Sequence, residues 1–458
     1  MTLRIIGAGL SGCEAAWQAA VRGIDVELYE MRPEQTTGAH QTANLAELVC
    51  SNSLGSNLLN RASGLLKAEL RRLGSALIDC ADASSLPAGN ALAVDREVFS
   101  ACIENKLTNH PRISIIRQEY QTIPKSPAIL ATGPLTSPAM SQSLKSFTGG
   151  DHLFFYDAIA PVVDYDSINM EIAFRSDRYA FDSPNKGDYI NCPFDEAAYL
   201  NFWEALINAK RIKMRDFEKG IELGVDAGEG QYFQGCQPVE VIAQRGEKAL
   251  AFGPLRPVGL IDPRTGRRPY AVVQLRQDNL VGDLYNLVGF QTNLTYSEQA
   301  RVFRLIPGLE NASFARFGQM HRNSFLAAPK LLDETLAFIK QPGLFAAGQL
   351  AGIEGYAGNI ASGLIAGINA AHFIKGYPSI VLPRSTMTGA LINYITHADL
   401  KDFQPMKAVF GLLPKPYDGK RRSKKDRYDY YVEHALSELE EYLQVTFGAD
   451  LIHEKLKD

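Results

Sequence analysis

Six residues near the N-terminus have the types and spacing that hold a dinucleotide. Gly7-Ala8-Gly9-Leu10-Ser11-Gly12 reads G-x-G-x-x-G, directly after an apolar run and at the start of a helical pattern. The glycines permit a tight turn and let the backbone approach a pyrophosphate, whose charge the helix N-terminus then stabilises. Glu30, followed by Met31, ends the next apolar run, from which a carboxylate can hydrogen-bond ribose hydroxyls and disfavour a 2′-phosphate. Two cysteines form a second set. Cys50 lies in Ala46-Glu47-Leu48-Val49-Cys50-Ser51-Asn52-Ser53-Leu54, and Cys236 lies in Phe233-Gln234-Gly235-Cys236-Gln237-Pro238. A thiolate in a partly exposed, electropositive place is a good nucleophile, whereas a lone cysteine is more often a small buried hydrophobe. Residue types alone leave both readings open. Of the other cysteines, Cys13 sits on the helix after the glycines, Cys80 and Cys102 read as core, and Cys192 in Asn191-Cys192-Pro193 is open. None forms a C-x-x-C pair, which argues against a zinc site or a redox dithiol.

The elements that must position these residues begin with a βαβ unit: strand 3–6, helix 12–22, strand 25–29. Residues 33–60 are rich in Thr, Asn, Ser and Gly and read as a long functional loop. Residues 63–73 form an amphipathic helix with Leu65, Leu66, Leu70 and Leu73 on one side. A helix over 95–107 and a buried strand over 128–131 follow. From about 160 to 325 the βα alternation is lost, and one clear helix, 195–210, stands among short strands. The α/β pattern returns at 344–348, with a small-residue helix over 360–374. The expected fold class is therefore α/β: a Rossmann-type domain of the two-domain, glutathione-reductase-like kind with an α+β insertion. The expected divisions are 1–160 and 326–390 for a discontinuous first domain, 161–325 for the insertion, and 391–458 for a C-terminal helical and basic segment. The last contains the basic run of 420–427 and Leu436, Leu439 and Leu443 at helical spacing.

The 458 residues suffice for two or three domains. No apolar run is long enough for a transmembrane helix, and the N-terminus enters a strand without a leader pattern, so a cytoplasmic protein with reduced thiols is expected. A net charge of −4 neither requires nor excludes nucleic acid. RNA binding would need a local basic patch. Lys210, Arg211, Lys213 and Arg215, then Arg264, Arg267 and Arg268, then the 420–427 run are the candidates; each alone is more often a solvated face.

Longer motifs run through nearly the whole chain: GAGLSGCEAAWQ (7–18), LYEMRP (28–33), AELVCSNSL (46–54), ALAVDR (91–96), ATGPLTS (131–137), FYDAIAPVV (155–163), YINCPF (189–194), GCQPVEV (235–241), RPYAVVQLRQD (268–278), NLVGFQT (286–292), MHRNSF (320–325), AGQLAGIEGY (347–356) and FQPM (403–406). In these the chain resembles the bacterial FAD- and folate-dependent tRNA (uracil-5-)-methyltransferases. The resemblance implies FAD as cofactor, methylenetetrahydrofolate as one-carbon donor, NAD(P)H as reductant and a T-loop uridine of tRNA as target. It implies no obligate protein partner and no metal. Ala131-Thr132-Gly133 and Gly348-Gln349 match flavoprotein segments that meet the cofactor, although Asp is usual at Gln349; Ala361 and Ser362 begin a helix aimed at the flavin. The family's two functional cysteines fall on Cys50 and Cys236. Cys236 would add to uracil C6, and Cys50 would remove the C5 proton or hold the one-carbon adduct of the flavin. Gln274, Arg276, His321, Arg322 and Asn323 are candidate substrate contacts. The chain departs from the family pattern at Gly55, where Arg is usual, at Asn90, where Gly is usual, and at Gly358-Asn359, where Glu-Ser is usual. Ribosomal RNA as target, a plain FAD-dependent NAD(P)H oxidoreductase and a partner-dependent tRNA-modification scaffold are the alternatives.

Overall fold

The computed structural model describes residues 1–458 apart from 38, 150–151, 159, 179–186, 213–236, 280, 319, 401–402, 416–422 and 448–458; of 152–158, 320–324, 424 and 447 it describes the backbone alone. The first core is built on a parallel sheet. Its strands lie in the order Leu344–Ala346, Ala128–Leu130, Leu3–Ile6, Val26–Glu30, Ile113–Arg117. Ala128, Ile129 and Leu130 are all fully buried, as continuous apolar runs are in central parallel strands covered on both faces. Strand Leu3–Ile6 pairs with Val26–Glu30 on one side and Ala128–Leu130 on the other. The winding reverses there, which opens a crevice beyond the carboxyl ends of these strands.

Helices Leu10–Val21 and Tyr356–Lys375 pack together beside that crevice. Small residues set the distance. A Cβ on Gly363 would lie 2.2 Å from the Ser11 carbonyl oxygen, and one on Gly367 would lie 2.6 Å from that of Ala15.

A second core, drawn from residues between Ala160 and Ala312, lies against a six-stranded sheet. Its order is Phe174–Arg175, Ile190–Phe194, Ala271–Gln277, Leu284–Leu287, Val162–Asp164, Phe314–Arg316, with antiparallel pairing throughout. Helix Glu196–Ile207, capped by Asp195, and helix Tyr296–Phe303 bury Tyr199, Phe202, Val302 and Phe303 in this core. The antiparallel pair His152–Ala158 and Met320–Leu326 joins the two regions. The chain then returns to the first core, where Leu344–Ala346 adds in parallel to Ala128–Leu130. Helix Lys424–Phe447 seats Tyr431, Ala435 and Leu439 on that core.

Three findings differ from expectation. The stretch 33–60 is not all loop, because Ser53–Ser56 pairs with Ala91–Val94. Helices Ala76–Ala83, Pro138–Thr148 and Met387–His397 are additional, the second opening on proline at its first turn. Cys80 and Cys102 are not separate core thiols; they form a disulfide. The helices Ala76–Ala83 and Arg96–Thr108 pack with these two Cα atoms 5.8 Å apart, within disulfide range. Among the described residues no helix is long and apolar enough to cross a membrane, and no cluster could hold a metal.

Gly363→Ala should force the two helices apart and destabilise the protein by about 1–3 kcal/mol, the usual range for overpacking. A melting curve beside the native protein checks this, and an unchanged transition contradicts it.

Candidate functional site: a dinucleotide cleft and the Cys50 segment

The glycine turn is shaped from within. Gly7 has φ +100°, and a Cβ there would lie 2.5 Å from the Ala131 carbonyl oxygen. A Cβ on Gly12 would lie 1.8 Å from the Gly7 carbonyl oxygen. Gly9 differs, since a Cβ there meets nothing within 4 Å and would project into the cleft. Gly7 and Gly12 therefore serve the turn, and Gly9 leaves room for a ligand. Gly133, with φ +68°, is likewise open on the facing wall. Of the expected cofactor residues, Gly7, Gly9, Leu10, Ser11, Glu30, Met31, Ala131, Thr132, Gly133 and Gln349 line this cleft. Gly12, Gly348, Ala361 and Ser362 stand behind its wall. The Ser362 hydroxyl is fully buried, accepts from Gly348 N at 2.8 Å and donates to the Asn359 carbonyl at 2.9 Å. It braces the wall and has no face toward a ligand. Asn359 lines the cleft instead, and its Oδ1 is buried without a hydrogen-bond partner.

Glu30 is held by a neighbour that motif reading passed over. Its Oε2 accepts from Ala8 N at 3.2 Å, while Oε1 accepts from Arg32 N at 3.0 Å and Arg32 Nε at 2.8 Å. Arg32, 2% exposed, donates Nη1 to Glu47 Oε2 at 2.9 Å. Burial pushes the Glu30 carboxyl up, but the Arg32 contacts and the Ala8 N–H outweigh it and hold the group below its ordinary range. The acid is thus ionised and fixed at the cleft edge.

The Cys50 segment runs between the cleft and the second sheet. The Tyr356 hydroxyl oxygen, on the first residue of the long helix, accepts from Cys50 N at 2.8 Å and Ser51 N at 3.1 Å. Arg96 donates Nη1 to the Leu48 carbonyl at 2.8 Å and Nη2 to Asp278 at 3.1 Å. Arg276 donates Nε to Asn52 Oδ1 at 2.9 Å, and Asn52 Nδ2 donates to the Gln277 carbonyl at 2.8 Å. Backbone and side chains on both sides thus pin residues 48–52. Cys50 is partly exposed and outside any disulfide, whereas Cys13 and Cys192 are fully buried, and burial pushes both thiols far up.

Among the candidate substrate residues, Arg276 joins the Cys50 segment. Gln274 does not, because its Nε2 donates to Asn191 Oδ1 at 3.0 Å across the sheet. His321, Arg322 and Asn323 lie on strand Met320–Leu326, with side chains outside the described set. Cys236, Lys213, Arg215 and residues 420–422 also lie outside the described residues. Arg267 and Arg268 are exposed, and Arg264 pairs with Asp262 at 2.7 Å. Sequence reasoning missed Arg32, Arg96 and Tyr356. Arg32, Arg96 and Tyr356 stand in motifs already singled out, LYEMRP, ALAVDR and GIEGY, but their partners come from distant segments.

The chain is similar to known proteins along nearly its full length. A family model described as Glucose inhibited division protein A matches residues 2–378. The solved structure of Aquifex aeolicus GidA superposes with a TM-score of 0.69 at 17% identity, covering 100% of this chain and 76% of that one. At that identity the likeness speaks for the fold alone. Fold and family model together define a protein of the GidA class, with a dinucleotide-binding domain. Methylenetetrahydrofolate--tRNA-(uracil-5-)-methyltransferase TrmFO of Heliobacterium modesticaldum is 52% identical over 444 residues, spanning 97% of this chain and 98% of that protein. The protein of the same name from Bacillus pumilus is 51% identical over 440 residues, 96% and 98% of the two chains. The chain belongs to the TrmFO family.

Arg32→Met would leave the buried Glu30 and the partly buried Glu47 without their cation and should destabilise the protein by about 3–5 kcal/mol near neutral pH. Glu30 titrates below its unfolded value, so the stability it contributes is present above that value and is lost as pH falls through the folded one. The melting-temperature gap between native and variant protein should therefore be widest near neutrality and narrow below about pH 4. A gap independent of pH contradicts the assignment.

Proposed function

We propose that this protein methylates uracil C5 in the T-loop of tRNA, with methylenetetrahydrofolate as one-carbon donor and NAD(P)H electrons delivered through FAD. The observation that carries the reading is the placement of Cys50. It sits on a rigid segment between the dinucleotide cleft and the second sheet, in a chain half identical over its length to TrmFO proteins. The cleft fits FAD. Gly9 and Gly133 leave space for a pyrophosphate, the helix Leu10–Val21 offers its N-terminus, and the buried Asn359 Oδ1 lacks the donor that a ligand hydroxyl would supply. When bound, FAD supplies the reducing equivalents that turn a transferred methylene into a methyl group.

The remaining chemistry belongs to the chain. Uracil C5 is a weak nucleophile. A thiolate adding at C6 forms an S–C6 bond and moves the pair onto O4, so that C5 can attack an electrophilic carbon. Loss of the C5 proton to a base supplies the pair that breaks the bond between the new carbon and its carrier, leaving an exocyclic methylene on C5; a hydride added to that methylene makes the methyl group, and the pair that returns through C5–C6 expels the thiolate. We assign the addition to Cys236 and the proton removal to Cys50. Tyr356 and Arg96 hold the Cys50 segment still, and Arg276, through Asn52, ties it to the second sheet. Fixing a base within reach of its proton is the larger share of such catalysis. We place residues 161–325 on the RNA side, with His321, Arg322 and Asn323 as contacts. The T-loop uridine must leave its stack to be reached. The cytoplasm is the compartment in which all three substrates meet.

Cys236→Ala should abolish methylation and leave the protein yellow, because the residue lies outside the glycine turn. Full activity in this variant would sink the assignment. Gly9→Trp should give colourless protein, since the indole would occupy the pyrophosphate space; a normal flavin spectrum refutes the cleft assignment.

A further inference from the structure

Helix Ala62–Arg72 carries a lysine on its buried face. Lys67 is fully buried. Its Nζ donates to four backbone carbonyl oxygens: Ser56 at 2.8 Å, Leu54 at 2.9 Å, Ser63 at 3.0 Å and Gly55 at 3.4 Å. Every acceptor is thus main chain. Asp82, the acid that acts on the ammonium through space, is held by Arg71 Nε and Nη2, each at 2.7 Å.

Three of the four oxygens belong to consecutive residues. In a regular strand successive carbonyls point to opposite edges, so three in a row cannot meet at one point. They meet here because Gly55 has φ +80° and the pairing with strand Ala91–Val94 is irregular. The ladder joins Ser53 to Ala93 and Ser56 to Ala91, with the register shifting between them. Carbonyl oxygens drawn together repel one another unless a cation lies between them. Rings of backbone carbonyls are how a protein replaces the hydration shell of a potassium ion. Burial and then the Arg71 charge bring Lys67 down to about 7, and the four accepting oxygens, which favour the charged form, work against both.

We propose that these carbonyls form a monovalent-cation site that the chain fills with its own lysine, and that Lys67 is thereby a positioning residue for Cys50. Leu54 stands four residues beyond the cysteine. The stretch between is tied down: Asn52 is fully buried, and its carbonyl accepts from Val94 N at 2.9 Å. The Tyr356 hydroxyl holds the cysteine end of the segment, and the Lys67 ammonium holds the far end. A cation on a tether is always at its site, so the segment keeps its shape whatever the salt. The effect on methylation rests on the reading that Cys50 takes part in the reaction; the cation site does not.

The test uses the full-length yellow protein on the acid side of neutrality, where the ammonium keeps its proton, with Lys67→Ala to empty the ring. Native and variant protein are compared in choline, potassium and methylammonium chloride at equal ionic strength. Amide hydrogen exchange of the peptide spanning residues 50–56 reports the segment, and a peptide from helix Leu10–Val21 is the reference. Native exchange should be the same in all three salts. In choline the variant should exchange faster across 50–56 by about 10-fold or more, as buried groups left without a partner do, with the reference unchanged. Potassium or methylammonium should return most of the protection, and methylation turnover should fall and recover in step. Lys67→Met, whose side chain fills the ring without a charge, should exchange as fast and stay so in every salt. If Lys67→Ala loses its flavin in choline, melting in the three salts replaces exchange, with the same order expected. A Lys67→Ala protein that exchanges or melts alike in all three salts overturns the proposal. So does native-like protection of 50–56 in choline, or rescue of Lys67→Met by potassium. Failure of the methylation reading would show separately, as exchange that follows the cation in a protein that modifies no RNA.

Discussion

Two backbone N–H groups, those of Cys50 and Ser51, converge on one phenol oxygen, and the site depends on that meeting. Tyr356 is the first residue of the helix that closes the dinucleotide cleft, so the hydrogen bonds tie the cysteine segment to the wall of the cleft. The same short segment is held to the second sheet through Asn52 and to helix Arg96–Thr108 through Leu48. A segment fixed from three directions has little conformational freedom left to lose when a substrate binds. Most of the ordering entropy has been met by folding.

The tie works because the helix itself cannot shift. Gly363 and Gly367 bring it against the backbone of the glycine-turn helix, and the Ser11 hydroxyl donates to the Asn359 carbonyl at 2.9 Å. The turn in turn needs Gly7 and Gly12 for its own closure. One continuous chain of close contacts therefore links the pyrophosphate end of the cleft to the cysteine. The Glu30–Arg32–Glu47 network, two carboxylates around one buried guanidinium, fixes the other edge.

Much of the fold was legible because its signals are local. The glycine spacing, the apolar run of Leu3–Ile6 and the fully buried Ala128–Leu130 each announce themselves within a few residues. Helix Ala62–Arg72 was legible for the same reason, since Leu65, Leu66 and Leu70 repeat at helical spacing and are buried. What was not legible depends on distance along the chain. Tyr356 meets Cys50 across 306 positions, and Arg276 meets Asn52 across 224. No local pattern encodes such a pair. The Cys80–Cys102 disulfide belongs here too, because only the packing of two helices brings its sulfurs together. Ser362 shows a subtler limit. Its place at the start of a helix suggested a ligand contact, but the helix turns that hydroxyl inward to Gly348. The same rotation gives the cleft Asn359, a position first noticed as a departure from the family pattern.

The central claim is that this chain joins a folate-derived carbon to a uridine in RNA through a cysteine site beside a flavin cleft. A single-turnover reaction tests it most directly: purified yellow protein, unmodified tRNA transcript, NAD(P)H and methylenetetrahydrofolate labelled in the transferred carbon, followed by nucleoside analysis. The account predicts label in 5-methyluridine, mapped to the T-loop. NAD(P)H consumption with no label in tRNA would contradict it and leave a plain flavin oxidoreductase, or an enzyme for another RNA, in its place.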